Sequence, residues 1–333
     1  MIGNSAALAQ ALDHLSRLAP VNRPILVLGE RGTGKELAAQ RLHFLSTRWD
    51  APLLKVNCAA MAESLLESEL FGHEAGAFTG ATRNHQGRFE RADGGTLFLD
   101  ELGTMSMRLQ EKLLRLVEYG EFERVGGQET LQVDVRVIAA TNADLRALAD
   151  RGDFRHDLLD RLSFDVVHLP ALRHRPEDIP ELAEHFAIQM SAELGWELFP
   201  GFTAAADDAL SRYPWPGNIR ELKNAVERSL YRWGDGENPV DDIVLDPFIS
   251  PYAASAPSPI ESTDTVDAVP VEPLSRGFTE QVAELEQHLV SQALDANGQN
   301  QRLAAESLEL SYDQLRGLVR KYKLGGRRRN ANR

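Results

Sequence analysis

Along residues 1–240 the apolar positions follow two alternating rhythms. A short unbroken run at 25–28 reads as a strand buried on both faces, and 53–57, 96–99, 133–140 and 164–169 read as further strands. Between them the spacing lengthens to that of a helix. Residues 36–45 place Leu37, Leu42, Phe44 and Leu45 at helical intervals, and 105–119 form an amphipathic helix. Strands separated by helices predict a parallel α/β sheet covered on both sides. From Glu177 to Trp233 the strand rhythm stops. Segments 177–194, 203–213 and 218–232 read as three helices, a helical subdomain beside the sheet.

The pattern breaks again beyond residue 240. Residues 249–277 (ISPYAASAPSPIESTDTVDAVPVEPLSRG) are rich in Pro, Ser and Ala and lack amphipathic period. Such a stretch cannot bury enough apolar surface to offset its ordering entropy, so it reads as a linker. After it, 278–296 read as one amphipathic helix, and 300–308 and 311–322 as two short ones around Glu309 and Leu310. That is helix-turn-helix spacing. Ala304, Ala305 and Leu308 are expected to pack against Leu315, Leu318 and Val319, with Ser311 capping the last helix. Tyr312, Gln314, Arg316, Arg320 and Lys321 are then left for a groove and its phosphates. Five segments follow: an α/β unit over 1–170, a helical lid over 171–240, a linker over 241–277, a helix-turn-helix over 278–325 and a basic tail over 326–333.

Charge changes this picture. With 36 Lys+Arg against 50 Asp+Glu, the net charge of −14 argues at first sight against nucleic acid. The charge is unevenly spread, however. Residues 311–333 hold eight basic side chains against one acid, Asp313, so they carry +7 and the first 310 residues carry −21. An acidic body with a basic end suggests division of labour. The single cysteine, Cys58, excludes an internal disulfide framework and argues against a thiolate zinc site. No apolar run approaches the ~20 residues that cross a bilayer. Asp13, His14 and Arg17 interrupt any secretory signal. A cytoplasmic protein without membrane insertion is expected.

The chemistry concentrates between the runs. Gly29, Glu30, Arg31, Gly32, Thr33, Gly34, Lys35 and Glu36 follow a strand and open a helix, the context of a phosphate-binding loop. Its glycines let backbone N–H groups approach phosphates, and Lys35 can reach the β- and γ-phosphates. Glu36 stands where a hydroxyl usually assists Mg²⁺, so another carboxylate must hold the metal. The 96–99 run supplies it, ending in Asp100 for Mg²⁺ and Glu101 to polarise a water. Asn57 and Asn142 sit at the ends of other strands, as turn residues or as contacts to Glu101 and the γ-phosphate. Arg155 and Arg161 precede the last strand, either salt-bridged locally or offered to a neighbouring subunit's phosphates. Arg220 begins a helix after a Pro-Gly break and could reach the γ-phosphate from the lid.

Four segments carry a resemblance: GERGTGKE at 29–36, GHEAGAFTGA at 72–81, GGTLFLDE at 94–101 and PWPGNIREL at 214–222. Together they resemble the bacterial enhancer-binding activators of sigma-54 RNA polymerase. The loop ending in GKE is a feature of that family rather than a defect. The resemblance implies an AAA+ ATPase using ATP and Mg²⁺ and assembling with itself into a hexameric ring. It implies Asp100 and Glu101 as metal and water-activating residues, Asn57 as a switch partner of Glu101, Arg155 and Arg161 as intersubunit arginines, and Arg220 as the second sensor. Gly76, Ala77, Phe78, Thr79, Gly80 and Ala81 match the loop that contacts sigma-54; by itself that segment reads equally as a Phe-anchored surface turn. The C-terminal helices resemble the family's Fis-type module for enhancer DNA, with Glu309 where Gly is usual. Only 24 residues precede the first strand, too few for a sensory domain, as in the phage-shock branch of the family. That branch implies a negative regulator acting in trans, with Trp49 its contact or simply a packed aromatic. The rival expectation is an AAA+ unfoldase or loader that carries a DNA-binding tail, against which the GAFTGA motif argues.

Overall fold

A computed structural model describes residues 1–248, 278–308, 310–322 and 324. The expected linker from 249 onward, the turn residue Glu309 and most of the basic tail, including Arg327–Arg329, lie outside the described residues. Two compact units are present, Met1–Tyr252 and Ala253–Arg333.

The first unit runs α1(Ala6–Leu18), β1(Ile25–Leu28), α2(Lys35–Phe44), β2(Leu53–Asn57), α3(Glu63–Phe71), α4(Arg88–Arg91), β3(Thr96–Asp100), α5(Met107–Tyr119), β4(Glu121–Glu123), β5(Thr130–Gln132), β6(Arg136–Thr141), α6(Leu145–Asp150), α7(His156–Leu162), β7(Asp165–His168), α8(Ile179–Glu193), α9(Ala204–Arg212) and α10(Asn218–Trp233). Five strands form one sheet in the order β2-β3-β6-β1-β7, every pair parallel. The period-2 rule divides their side chains between two cores. Leu26, Leu97, Leu99, Val137 and Ala139 face a layer with α3, α5 and α7. Ile25, Val27, Phe98, Ile138 and Ala140 face the layer of α1 and α2. Burial on both faces is why these runs read as continuously apolar. The expected strand over 133–140 begins at Arg136, because Val133 N–H is already bonded to the Gly120 carbonyl at the end of α5. A short antiparallel hairpin, β4–β5, was not legible in the sequence: three-residue strands with exposed ends carry too little pattern.

Helices α8–α10 form the lid around Leu172, Phe186, Trp215 and Leu222. Val240, Ile243 and Leu245 pack on the same core, and Arg228 donates to the Val244 and Leu245 carbonyls. The lid therefore continues past residue 240, and the linker expected from 241 starts later. The N-terminal segment is tied to this lid by a fully buried carboxylate. Asp178 accepts the N–H of Asn4 (2.7 Å) and of Ser5 (2.8 Å) and the Ser5 hydroxyl (2.7 Å), beside the buried guanidinium of Arg175 (3.8 Å).

The second unit holds α11(Phe278–Ala296), α12(Gln301–Ser307) and α13(Tyr312–Lys321). Ala304, Ala305, Leu315 and Val319 are buried with Val290, Ala293 and Leu294, and Leu308 and Leu318 pack at the edge. No helix among the described residues is long and apolar enough to cross a membrane.

Removing one partner of a buried ion pair leaves the other uncompensated. Asp178→Ala should therefore destabilise the first unit by about 3–5 kcal/mol, measured by chemical denaturation followed through tryptophan fluorescence.

Candidate functional site

All five parallel strands point their C-terminal ends to one edge, where ligands of such sheets bind. The loop after β1 turns sharply there. Gly32 has φ 79° and Gly34 φ 98°, both in the left-handed region that glycine alone adopts without strain. At Gly32 space matters as well: a Cβ would lie 2.2 Å from the Gly217 carbonyl oxygen. Gly34 caps α2 without a side-chain hydrogen bond, so the helix start presents free N–H groups to the loop. Lys35 is buried, and its ammonium donates to the Gly29 (3.0 Å) and Glu30 (3.2 Å) carbonyls. Burial pushes its pKa down, opposed by Asp100 and Glu101. A cation that is partly desolvated and faces two carboxylates suits an anion carrying several charges.

Asp100 ends β3 and Asn57 ends β2, in register with each other. Glu101 follows with φ 54°, an uncommon conformation for a non-glycine residue, and its N–H donates to the Asp100 carboxylate (2.9 Å). Arg31 approaches Glu101 at 3.9 Å. The expected Asn57–Glu101 contact is not made in this state: the Asn57 side-chain oxygen accepts the Ala59 N–H (2.9 Å), an Asx turn. Thr141 ends β6 beside the loop, and its hydroxyl accepts the Ala143 N–H (3.0 Å), leaving the adjacent Asn142 exposed. Glu36 is exposed and pairs with Lys55 (2.7 Å) rather than facing the loop.

The lid closes over the loop through residues the sequence did not single out. Asn218, fully buried with φ 54°, donates to the Arg31 carbonyl (3.0 Å) and Glu30 carboxylate (3.1 Å) and accepts the Leu172 N–H (2.8 Å). Ile219 N–H donates to the Gly32 carbonyl (3.1 Å). Glu30 is paired with Arg173 (2.8 Å), and that bond, with the one from Asn218, lowers its pKa to about 2. Arg220 is exposed in the next position of α10, next to Gly32. Beside the loop lies a cavity of about 170 Å³, lined by Ile2, Gly34, Leu182, Phe186, Ile219 and the buried Arg175.

Arg155 caps the start of α7 and Arg161 lies in its last turn. Arg155 bonds Asp157 (3.0 and 2.7 Å), which raises its pKa, and Arg161 bonds Glu118 (2.5 Å). The local pair that the sequence left open is present for Arg155, whereas Arg161 reaches Glu118 of α5 rather than Asp157 or Asp160.

The 76–81 loop stands apart on its own base. Gly76 (φ 84°) and Gly80 (φ 103°) have open space where a Cβ would go, and the Gly76 N–H closes the loop on the Ala81 carbonyl (2.7 Å). Ala81 is buried and Thr79 exposed. Phe78 is 48% exposed, its ring against that of His73 (4.9 Å). Arg124, from the turn joining β4 and β5, holds Glu74 (2.8 Å) and Glu90 (2.6 Å) beneath it. Trp49 is 63% exposed, in one exposed apolar stretch with Phe44 and Leu45. In the second unit Ser311 caps α13 and the Gln314 side-chain oxygen accepts the Ser311 N–H (2.9 Å). Lys321 pairs with Glu286 (2.9 Å), Tyr312 stacks near Arg302 (5.9 Å), and Arg316 and Arg320 stay exposed.

With this geometry in view, two family models match: the sigma-54 interaction domain over residues 1–168 and the AAA+ ATPase lid domain over 173–244. The Psp operon transcriptional activator of Escherichia coli K12 is 54% identical over 324 residues, 97% of this chain and 98% of that protein. The chain belongs to the sigma-54-dependent transcription activators. The transcriptional regulatory protein ZraR of Salmonella typhimurium is 43% identical over 93% of this activator and 66% of its own length. Among solved structures, NtrX from Brucella abortus aligns with a TM-score of 0.68 at 31% identity, covering 97% of this activator and 69% of that chain, and similar matches hold ADP and ATP. The activator's AAA+ core and lid are thus those expected, and its loop, strand edge and lid helix lie together at one end of the sheet.

The Glu30 network titrates in a defined window. A carboxylate whose folded pKa is lowered, here from 4.5 to about 2, contributes stability above 4.5 that is lost as pH falls toward 2. The stability difference between the unaltered activator and Glu30→Gln should be constant above about pH 5.5 and shrink between pH 4.5 and 2, read from thermal melts across pH.

Proposed function

We propose that the activator hydrolyses ATP at this edge and uses the cycle to remodel the closed sigma-54 polymerase–promoter complex. One observation carries the reading. The uncapped start of α2, Lys35, the Asp100–Glu101 pair and Arg220 of the lid converge on a single strand edge. The loop N–H groups and Lys35 bind the phosphates, and the apolar cavity next to Gly34 takes the base. Asp100 is the carboxylate that would hold Mg²⁺, with no hydroxyl at position 36 to help, and the metal would neutralise phosphate charge when bound. Glu101 orients and deprotonates the attacking water, and Asn142 at the end of β6 faces the same edge. Arg155 and Arg161, at the two ends of α7, serve the site of an adjacent subunit in a hexameric ring.

The 76–81 loop is the output. Exposed Phe78 and Thr79 contact sigma-54, and the two glycines let the loop change position with nucleotide state. A change of partner by Glu101, from its present surroundings to Asn57, would report loss of the γ-phosphate. The helix-turn-helix of α12 and α13 holds the activator on enhancer DNA, with Arg316 and Arg320 free for bases or phosphates and Tyr312 and Lys321 at its rim. Regulation acts in trans, at phage shock promoters, through a negative regulator that meets the exposed Trp49 stretch in the cytoplasm. Phe78 and Thr79, solvent-facing on a glycine-flanked loop, favour this reading over a general unfoldase with a DNA tail.

Purified sigma-54 polymerase on a supercoiled promoter template tests the assignment. Glu101→Gln should bind ATP yet hydrolyse it about 10²–10⁴-fold more slowly and form no open complex. Thr79→Ala should keep hydrolysis within about threefold and also form none. Normal open-complex formation by Thr79→Ala would sink the role of the loop.

A further inference from the structure

Gln110 is a polar residue that the mechanism above does not use, yet it is fully buried. It lies in the first turns of α5, and its carboxamide is saturated by backbone alone. The side-chain NH₂ donates to the Met105 carbonyl (2.7 Å) and to the Asp153 carbonyl (3.1 Å). The side-chain oxygen accepts the N–H of Arg155 (2.8 Å). One side chain therefore clamps the Met105 turn to a segment that lies 43–45 residues beyond Gln110 in the sequence.

Both segments belong to catalytic groups. Met105 ends the 3-10 turn Leu102–Thr104, whose first residue follows Glu101 directly, and the Thr104 N–H and hydroxyl both bond the Glu101 carbonyl (3.0 and 2.8 Å). Only the three residues of that turn separate the candidate base from the clamped Met105. On the other side, Arg155 is the first residue before α7, and its own N–H is the group held. Its guanidinium is hydrogen-bonded to Asp157 and also feels the charge of Glu111 on α5.

We infer that Gln110 is a positioning residue that fixes the intersubunit arginine Arg155 against the Glu101 turn of its own subunit. It thereby links the state of one nucleotide site to the arginine offered to the next. A carboxamide suits this task because it has two donors and an acceptor in one plane, and no neighbouring side chain competes for them. Moving the Glu101 turn without Arg155 would leave buried backbone groups unpaired, so the two move together.

The inference rests on the reading of Arg155 as acting on a neighbouring site, and subunit mixing separates the two. Subunits carrying Glu101→Gln keep an intact Arg155 but lack a base of their own. Subunits carrying Gln110→Met lose the whole clamp, while Gln110→Glu keeps shape and acceptor but turns a buried carboxylate oxygen toward the two carbonyls that the NH₂ held. Each Gln110 variant alone should hydrolyse ATP at least about tenfold more slowly than the unaltered activator. Its affinity for a fluorescent ATP analogue should stay within about threefold. Mixed with Glu101→Gln subunits, both should recover hydrolysis well above either component, because junctions form where an intact arginine faces an intact site. Arg155→Ala mixed with Glu101→Gln is the reference. If the reference fails to recover, Arg155 does not act in trans and the underlying reading falls. Recovery of the reference without recovery of the Gln110 mixtures overturns the inference. So does loss of analogue binding by both Gln110 variants, because the residue would then serve only folding.

Discussion

Asn218 sits fully buried in a left-handed conformation, and its three main hydrogen bonds reach the phosphate loop on one side and the start of the lid on the other. An unpaired buried carboxamide would cost about 1–3 kcal/mol, so the lid cannot lift from the loop without a penalty of that order. Much else is arranged around this seam. Gly32 must lack a side chain because the Gly217 carbonyl occupies its space. Trp215, fully buried with φ 48° and its indole N–H on the Leu210 carbonyl (2.8 Å), anchors the turn that delivers Asn218. Glu30 and Arg173 add a charged latch at the rim.

A second chain of contacts leads away from the nucleotide edge. The Glu101 turn runs into α5, α5 ends in the β4–β5 hairpin, and the hairpin turn touches the base of the 76–81 loop. There Val125 N–H bonds the Gly72 carbonyl (2.9 Å), Glu74 N–H bonds the Val125 carbonyl (3.0 Å), and a Cβ on Gly126 would sit 2.7 Å from Ala77. Packed helices and hydrogen-bonded turns of this kind transmit discrete shifts because they have few intermediate arrangements. The Glu101 turn at the strand edge and the base of the 76–81 loop are thus joined through α5 and its hairpin.

Much of this was legible in the sequence because the responsible signals are local. Four apolar residues ending in a glycine-rich loop mark β1 and α2, and an apolar run ending in Asp100 and Glu101 marks β3. The alternation of side chains between two covered faces explains why these runs lack polar positions. The seam was not legible. Asn218 reads as a helix start, and only the fold brings it within bonding distance of residues 187–188 positions away. Gln110 reads as one polar residue in an amphipathic helix, and nothing local marks it as buried. Local pairing is hidden for the same reason: nothing in the sequence pattern marks the Gln314 oxygen as the acceptor of the Ser311 N–H. The uneven charge was informative because electrostatic division between an acidic ATPase and a basic end needs no knowledge of contacts.

The most direct test is capture of purified sigma-54 by the activator as a function of bound nucleotide, followed by gel filtration or native electrophoresis. The account predicts a stable complex with ADP and a metal-fluoride mimic of the transition state, and none with ADP alone or without nucleotide. Equal binding in all three states, or no binding in any, would contradict the claim that phosphate chemistry at the strand edge drives the 76–81 loop.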